Sequence, residues 1–195
     1  MRIAICSHGD NGMNEWKDVS YPNKQKYCDK HGYDFFGSDF KFDGRHPSWA
    51  RLPMILELIK DYDWVFWSDP DSLIVNTDIK LESFIDDKYD FIISDTEVIN
   101  FGEFFVKNSP LGIEILNDIN NQRQFLDHVW RENQACIYLF EEYYGKHITD
   151  HILIEKDASY NRFANIYRDG DFIIHYPGAY KNIEHFKELS TKIKY

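Results

Sequence analysis

The sequence predicts an α/β fold, a single domain in which helices flank a largely parallel central sheet. Short apolar runs typical of buried strands alternate along the chain with stretches of helical periodicity. The 195 residues are enough for one sizeable core, and 43% of them are hydrophobic, which excludes a disordered chain. No internal repeat, low-complexity segment or linker divides the sequence, so we expect residues 1–195 to form one domain.

The expected elements follow in chain order. The apolar runs predict strands at residues 3–7, 33–36, 64–67, 91–94, 104–107, 152–155 and 172–175. Periodicity and end signals predict helices at residues 22–31, 48–62 and from 110, one within 124–144, and a last one from 182. Pro22 suits the first turn of its helix and Gly32 the C-terminal end, and Pro53 restricts or kinks the next helix. Residues 37–47 are expected to form an irregular loop, and the weaker pattern after residue 95 predicts a mixed sheet there.

The charge balance narrows the classes of partner. Asp and Glu outnumber Lys and Arg by 33 to 22, which gives a formal net charge of -11. This charge argues against non-specific binding to nucleic acid and against docking to an anionic membrane. A phosphate ligand would therefore need a cation. Cys6, Cys28 and Cys136 are scattered without metal-site spacing, and they are expected to be reduced core thiols.

The sequence shows neither a signal peptide nor an apolar run of membrane-spanning length. Met1 and Arg2 lead directly into the first predicted strand. We therefore expect a soluble protein of the cytoplasm.

The strongest candidate for chemistry follows the strand predicted at residues 64–67. Asp69 and Asp71 lie at the end of this aromatic run, one residue apart. Period-two geometry sends both side chains to the same side, and Pro70 stiffens the turn between them. Two fixed carboxylates suit Mg²⁺ or Mn²⁺ holding a diphosphate. Taken alone, however, the motif is more often a simple strand-end turn.

A second candidate is the segment 172–181 (FIIHYPGAYK). A predicted strand ends at His175, and an imidazole added to two carboxylates would favour Mn²⁺ over Mg²⁺. Gly178 would allow the backbone to approach a phosphate closely, and Lys181 could neutralise one. Taken alone, the segment is more typical of a strand-end turn followed by a solvated lysine.

Three weaker candidates each have a structural alternative. Asn100 and Gly102 could place an amide against sugar hydroxyls, or they could form an Asx-type turn. Residues 132–134 are polar side chains on a predicted helix, and such residues are usually only solvated. Arg51 could reach a phosphate or extend its head group to water. The many aromatic residues are more typical of a core than of sugar-binding platforms.

Other chemistries lack their motifs. The sequence contains no Gly-x-x-x-x-Gly-Lys loop, no Gly-x-Ser-x-Gly elbow and no His-Glu-x-x-His. Three alternatives stay open from the residues: a sugar nucleotidyltransferase, a metal-dependent phosphohydrolase and a non-catalytic carbohydrate-binding module. A nucleotidyltransferase would need a basic glycine-rich loop after the first strand, and residues 7–12 contain no Lys or Arg.

Taken together, the candidate segments resemble a known family in their order and spacing. The matching segments are 48–53 (SWARLP), 64–73 (WVFWSDPDSL), 99–108 (INFGEFFVKN), 132–135 (ENQA) and 172–178 (FIIHYPG). They are similar to the metal-dependent glycosyltransferases of the GT-A fold, a Rossmann-like sandwich. The resemblance is greatest to family 34, the galactosyl- and xylosyltransferases, and looser to family 8 and glycogenin.

The resemblance implies a role for each candidate residue. Asp71 and His175 would bind Mn²⁺, with Mg²⁺ as an alternative ion, and Asp69 would bridge the metal and the ribose. Donor contacts are implied for the following residues: Arg51 and Lys181 at the diphosphate or sugar, Asp95, Asn100 and Gly102 at the sugar, Gly178 in the closing turn, and Ser7 and His8 at the uracil. Gln134 would lie beneath the anomeric carbon, so Gln134 and Asp95 are the candidate catalytic residues.

The implied partners are a UDP-sugar donor and an oligosaccharide or glycoprotein glycan acceptor, with no nucleic acid. These families retain anomeric configuration, so retention is expected, with attack on the same face because Gln134 is not a carboxylate nucleophile. Asn133 stands where family 34 often has Asp, which affects the expected positioning of donor or acceptor. The short chain resembles compact bacterial or viral transferases, so a virus-encoded enzyme acting in the host cytoplasm is one expectation.

Overall fold

A mixed six-stranded sheet with helices on both faces forms the centre of the computed structural model, which describes residues 1–38 and 44–195 (for Ser38, the backbone only). The loop expected at residues 37–47 therefore lies partly outside the described residues. The strands are β1 (Ile3–His8), β2 (Asp34–Ser38), β3 (Trp64–Ser68), β4 (Ser72–Ile74), β5 (Phe91–Asp95), β6 (Ile99–Lys107), β7 (Ile152–Lys156), β8 (Arg162–Phe163) and β9 (Ile173–His175). The helices are α1 (Asn14–His31), α2 (Arg51–Leu58), α3 (Pro110–Asn120), α4 (Arg131–Tyr138), α5 (Lys146–Thr149) and α6 (Ile183–Ser190).

Short single-turn elements connect these strands and helices. The 3₁₀ turns are Asn11–Met13, Pro47–Ala50, Ile59–Asp61, Leu81–Phe84, Arg123–Phe125, Ser159–Asn161, Ala164–Ile166 and Gly178–Tyr180. A π-helical turn, Leu139–Tyr143, continues α4.

The central sheet has the strand order β2-β1-β3-β6-β5-β7. Strand β1 pairs in parallel with β2 and β3, and β7 pairs in parallel with β5. Strand β6 runs antiparallel to both of its neighbours, β3 and β5. The described sheet is thus largely parallel with one reversed strand, which confirms the predicted fold class.

Two apolar cores cover the two faces of this sheet. One contains the buried residues of α2, α3 and α4, and the other contains Tyr27 and Cys28 of α1. All five residues of β3 are buried. Because both faces of this strand are covered, its sequence is a nearly continuous apolar run and not an alternating pattern.

A second sheet of three strands, in the order β4-β9-β8, was not predicted. Strand β9 falls within the strand predicted at residues 172–175, but β4 and β8 have only three and two residues, and no alternating pattern marks them in the sequence. Strand β4 pairs antiparallel with β9, with Ser72 opposite His175. A third apolar cluster, built from Trp16, Leu73, Ile174, Tyr176 and Phe186, packs α1 and α6 against this small sheet.

The largest differences from the predicted boundaries are at the starts of α1 and β6. Helix α1 begins at Asn14, eight residues before Pro22, and Pro22 lies inside it. Burial on both sides of the proline, at Trp16 and Tyr27, outweighs the hydrogen bond that Pro22 cannot donate. The predicted end of the helix is confirmed, because Gly32 has a φ of 78° and its N–H donates to the carbonyl of Cys28. Strand β6 begins at Ile99, so Asn100 and Gly102 lie in the strand.

Among the described helices, none combines the length and the apolar character that crossing a membrane requires.

Candidate active site

The acidic turn after β3 is held by backbone bonds from two directions. The N–H of Asp69 donates to the carbonyl of Gly102 at 2.9 Å, which ties the turn to β6. The carbonyl of Asp69 accepts from the Ser72 N–H at 3.2 Å and from the Ser72 Oγ at 2.8 Å. The turn between β3 and β4 is therefore fixed, and both carboxylates start from a rigid backbone.

Two buried ionisable groups lie against this turn. The ammonium of Lys24, with no exposed surface, donates to the carbonyl oxygens of Asp69 at 3.0 Å and Ser72 at 2.9 Å. Burial lowers the pKa of Lys24 to about 8. Glu103 on β6 is also fully buried, and burial raises the pKa of Glu103 to about 8.

Asp69, Asp71 and His175 converge, as the sequence predicts. One ligand atom from each lies within 4.8 Å of the other two. The pairing of β4 with β9 accounts for the convergence, because the Tyr176 N–H donates to the carbonyl of Asp71 at 2.9 Å. The His175 Nε2 atom then lies 3.5 Å from Asp71 Oδ1.

The three groups change one another's protonation. Burial and the neighbouring Asp71 raise the pKa of Asp69, although Arg51 opposes the shift. Burial works against ionisation of Asp71 as well, but His175 and Lys181 prevail and hold its pKa below the usual value. For His175 the burial effect, which lowers the pKa, is outweighed by Asp71 and Asp69, which raise it. The site thus concentrates negative charge in a place where water is scarce.

The donor set fits a divalent cation. The His175 side chain is 1% exposed, yet its Nε2 atom has no hydrogen-bond partner and lies 3.5 Å from the carboxylate oxygen Oδ1 of Asp71. A Cβ on Gly102 would come within 2.4 Å of His175 Cε1 and 3.1 Å of Asp69 Oδ2, so only glycine leaves the space between them open. Two carboxylates and one imidazole suit Mn²⁺ better than Mg²⁺. The binding of an ion by these three residues stays a prediction.

Arg51 holds the Asp69 side of the site. It is 7% exposed, and its Nη2 atom lies 3.1 Å from Asp69 Oδ1 and 3.3 Å from Glu132 Oε1. Its other donors reach the carbonyl oxygens of Ser48 and Phe101. Glu132 is 5% exposed, so the interpretation of residues 132–134 as merely solvated is wrong for this residue.

A cleft of about 350 Å³ opens over the acidic turn. The loop after β1, the turn before α2, the acidic turn and Lys181 form its walls. Its lining residues are His8, Gly9, Asp10, Gly12, Met13, His46, Pro47, Ser48, Arg51, Asp69, Pro70, Asp71 and Lys181. The Lys181 ammonium lies 3.5 Å from Asp71 Oδ2, and its side chain is 42% exposed. The positively charged Lys181 side chain therefore lies at the edge of the predicted metal site.

Four of the predicted donor residues do not line this cleft: Ser7, Asn100, Gly102 and Gly178. Asn100 Oδ1 accepts from the Gly102 N–H at 3.0 Å, so the predicted Asx-type bond does form, within a strand. Ser7 is fully buried, next to His8. Gly178 has a φ of 52°, a left-handed conformation that favours glycine.

Asp95 and Gln134 are the two predicted catalytic residues. Across residues 1–38 and 44–195, no hydrogen bond or ion pair connects Asp95 or Gln134 with Asp69, Asp71 or His175. Asp95 is half-buried at the end of β5, and Gln134 is half-buried on α4. Their catalytic roles stay predictions.

The neighbour of Gln134 explains how α4 is placed. Asn133 accepts from the Phe101 N–H at 2.6 Å and donates to the Ile99 carbonyl at 3.1 Å. An Asp could accept the first bond but could not donate the second, so the asparagine fastens α4 to β6 in a way that an ionised carboxylate cannot.

Sequence reasoning missed three buried residues around the site: Lys24, Glu103 and Asn161. Glu103 could have been found from the sequence, because it is a lone acidic residue in the apolar run of β6. A carboxyl group in a buried strand usually indicates a specific partner or a function. Lys24 and Asn161 carry no such signal, because nothing in their local sequence shows that they are buried.

Known proteins that are similar to this chain are glycosyltransferases. The sequence profile of the galactosyl transferase GMA12/MNN10 family matches residues 3–91. An uncharacterized alpha-1,2-galactosyltransferase of Schizosaccharomyces pombe is 26% identical, over 93% of this chain and 65% of the relative. An alpha-1,2-galactosyltransferase of the same yeast is also 26% identical, over 96% of this chain and 64% of the relative. The chain thus spans just under two thirds of the length of these relatives.

Two solved structures share the fold. A glycosyltransferase involved in the glycosylation of the major capsid of PBCV-1 superposes with a TM-score of 0.77 at 18% identity, covering 97% of this chain and 99% of that one. The galactosyltransferase LgtC, solved with donor and acceptor sugar analogs, superposes with a TM-score of 0.63 at 13% identity, covering 98% and 96%. The expected GT-A-type sandwich is confirmed, and so is the resemblance to enzymes of the glycosyltransferase class.

Proposed function

We propose that this chain transfers a sugar from a UDP-sugar to a glycan acceptor and depends on Mn²⁺. The observation that carries the proposal is the convergence of Asp69, Asp71 and His175 in one cluster at the edge of a cleft. A nucleotidyltransferase has no better claim, because no Lys or Arg follows β1 in residues 9–13. A carbohydrate-binding module would not need Asp69, Asp71 and His175 to converge.

Each residue of the site would have a role that follows from its position. Asp69, Asp71 and His175 would hold the ion, and Lys181, at the exposed edge, would contact the diphosphate. Arg51 would keep Asp69 in place and bring its positive charge close to the donor. The bound ion would supply Lewis-acid stabilisation of the charge that develops on the departing diphosphate.

The donor sugar is assigned to the region between the cluster and α4. Asn100, Gly102, Asp95 and Gln134 would contact it there, and Gly178 would bring backbone close to the phosphates. Ser7 and His8 at the end of β1 would border the uracil. We expect a hexosyl, pentosyl or deoxyhexosyl group, and the names of the yeast relatives favour galactose. Transfer is expected to retain the anomeric configuration.

The free cysteines support a proposal for the cellular compartment in which the protein acts. Cys6, Cys28 and Cys136 are all free and buried. Unpaired thiols are typical of a reducing environment, so we propose that the enzyme acts in the cytoplasm.

Thermal unfolding with UDP, Mn²⁺, both or neither tests the binding site. A ligand at 100 times its Kd stabilises the folded state by about 2.7 kcal/mol. We expect a large increase in Tm with UDP only when Mn²⁺ is present, and no such increase in Asp71→Ala. A UDP effect of the same size in a chelator would contradict the proposed site.

The reaction is tested separately. A panel of UDP-sugars is screened for slow Mn²⁺-dependent hydrolysis, which identifies the donor without knowledge of the acceptor. NMR of the first-formed product then gives its anomeric configuration, and an inverted product would refute retention. Release of UMP and sugar 1-phosphate, in place of UDP and free sugar, would instead indicate a phosphohydrolase.

A further inference from the structure

The His175 ring is fixed at its second nitrogen by an asparagine that the proposed reaction does not use. Asn161 belongs to the 3₁₀ turn Ser159–Asn161, immediately before β8, and it has no exposed surface. Its Oδ1 atom lies 2.9 Å from His175 Nδ1. The two residues meet because β8 pairs in parallel with β9.

The orientation of the Asn161 amide can be derived from a backbone group. The Gly102 N–H is a donor, so the Asn100 atom that it contacts at 3.0 Å must be the acceptor Oδ1. That oxygen also lies 3.0 Å from Asn161 Nδ2, which in turn donates to Ser94 Oγ at 2.7 Å. The Asn161 nitrogen is therefore committed to two acceptors, and its oxygen must face His175.

This orientation decides which nitrogen of His175 carries the proton. An amide oxygen can only accept, so His175 Nδ1 must donate to it. A neutral imidazole has one N–H, which leaves Nε2 with a lone pair. That lone pair faces Asp71 Oδ1 at 3.5 Å and has no donor within reach. Two facing acceptors repel each other unless a cation lies between them.

We propose that Asn161 is a positioning residue, which holds His175 in the Nδ1–H tautomer so that Nε2 offers its lone pair to a divalent ion. Without Asn161, the closest acceptors for a ring proton would be the carboxylate oxygens of Asp71. The proton would then sit on Nε2, where it competes with the ion for the same lone pair. This inference rests on the metal site of the proposed function.

Nitrogen NMR of the metal-free protein, labelled with ¹⁵N-histidine, tests the proposal at mildly alkaline pH. The ¹⁵N shifts show which ring nitrogen is protonated, and the His175 signals are assigned from their absence in His175→Gln. We expect the proton on Nδ1 in the wild type and on Nε2 in Asn161→Leu, which removes the acceptor while keeping a similar volume. Should Asn161→Leu not fold, Asn161→Ala gives the same comparison.

Mn²⁺ affinity, measured by electron paramagnetic resonance of the free ion, is the second readout. Loss of an outer-shell partner typically weakens metal binding about 10- to 100-fold, and we expect this for Asn161→Leu. Asn161→Asp keeps an acceptor for the Nδ1 proton, so it should recover most of the affinity. A merely structural role would not predict this recovery, since the aspartate loses both bonds of Asn161 Nδ2.

Asn23→Ala is the matched control. Asn23 is also a buried asparagine, and its side chain bonds both the N–H and the carbonyl of Ile74 at 2.9 Å. Its loss should lower the Tm and leave the ring proton and the Mn²⁺ affinity of the folded protein unchanged.

Two failures can be told apart. If Asn161→Leu retains the wild-type tautomer and the wild-type affinity, the positioning role is overturned and the proposed function is untouched. If the wild type binds neither Mn²⁺ nor Mg²⁺, the metal site of the proposed function is overturned, and the role of Asn161 with it. A proton on Nε2 in the wild type overturns the inference whatever the affinity.

Discussion

The two sides of the candidate metal site are built in different ways. On the aspartate side, formed by Asp69 with Trp67 and Arg51, the carboxylate oxygen Oδ1 accepts from the Trp67 indole at 2.7 Å and lies 3.1 Å from Arg51. On the histidine side, formed by His175 with Asn161, one ring nitrogen is bonded and the other has no partner. On the first side the Asp69 carboxylate has partners within the protein, whereas on the second the Nε2 atom of His175 keeps a lone pair that a ligand could accept.

The difference shows how a binding site can be both stable and reactive. An unpaired polar atom in a buried place costs free energy, and a protein tolerates it where function requires it. Here one such atom is the Nε2 nitrogen of His175, while the neighbouring Asp69 carboxylate is held by its partners. The following variants alter one side or the other, from the largest expected effect to the smallest.

Asp71→Asn should have the largest effect on activity. The substitution keeps the size of the side chain and removes the charge that faces both His175 and Lys181. We expect transfer to fall about 10³-fold or more, because a Lewis acid contributes several kcal/mol to a charged transition state. Steady-state kinetics with Mn²⁺ measure this, with Asp78→Asn as the control, since the Asp78 carboxylate is 89% exposed. Activity within about tenfold of the wild type would contradict the metal assignment.

Arg51→Met tests the aspartate side. Removing the guanidinium leaves Asp69 and Glu132 buried without their cation, and breaking a buried pair costs about 3–5 kcal/mol. Urea denaturation gives the free energy of unfolding. In Arg168→Met, which breaks an exposed pair with Asp157, the loss should be about 0–1 kcal/mol. Equal losses in the two variants would show that the network around Arg51 contributes no more than a surface pair.

Gly102→Ala tests the gap between the two sides. The new methyl group would lie 2.4 Å from His175 Cε1, and the overpacking should cost about 1–3 kcal/mol. Because the methyl also separates His175 from Asp69, Mn²⁺ affinity measured by calorimetry should fall as well. Gly145→Ala is the control, since its methyl would meet only the exposed ring of His147. Unchanged Mn²⁺ affinity in Gly102→Ala would mean that an ion does not bind between these side chains.

Glu103→Gln tests the buried carboxyl group that lies against the acidic turn. Burial raises the pKa of Glu103 from 4.5 to about 8, so the folded protein keeps a proton that the unfolded chain releases. The metal-free protein should therefore lose stability as pH rises from about 4.5 to about 8, by up to about 1.4 kcal/mol per pH unit. Urea denaturation at several pH values should show this slope reduced in Glu103→Gln and unchanged in Glu57→Gln, an exposed control. Identical slopes in Glu103→Gln and the wild type would refute the shift.

The sequence predicts the aspartate side better than the histidine side. Strand β3 and its two carboxylates are encoded in one continuous run, so periodicity alone places Asp69 and Asp71 together. The convergence with His175 was also predicted, but only through a family resemblance that spans most of the chain. Its physical cause is the small sheet β4-β9-β8, in which β4 and β8 are too short to leave a pattern in the sequence.

Residues that depend on distant partners were not predictable in the same way. Asn161 contacts Asn100 across 61 positions of the chain, and its burial is invisible in the local sequence. The start of helix α1 was not predictable, because tertiary burial of Trp16 overrides the signal of Pro22. The roles of Asp95 and Gln134 stay predictions, since they concern a donor sugar rather than contacts within the protein.

The bond between the Trp67 indole and Asp69 gives the protein an optical reporter of its own. The Arg51 guanidinium carbon also lies 5.1 Å from the Trp67 ring, so a charge on each side polarises the same chromophore. Indole emission responds to nearby charge, and neutralising Asp69 changes the field at this tryptophan at once. Binding of the predicted ion at Asp69 should therefore change the intrinsic fluorescence of Trp67, with no label introduced.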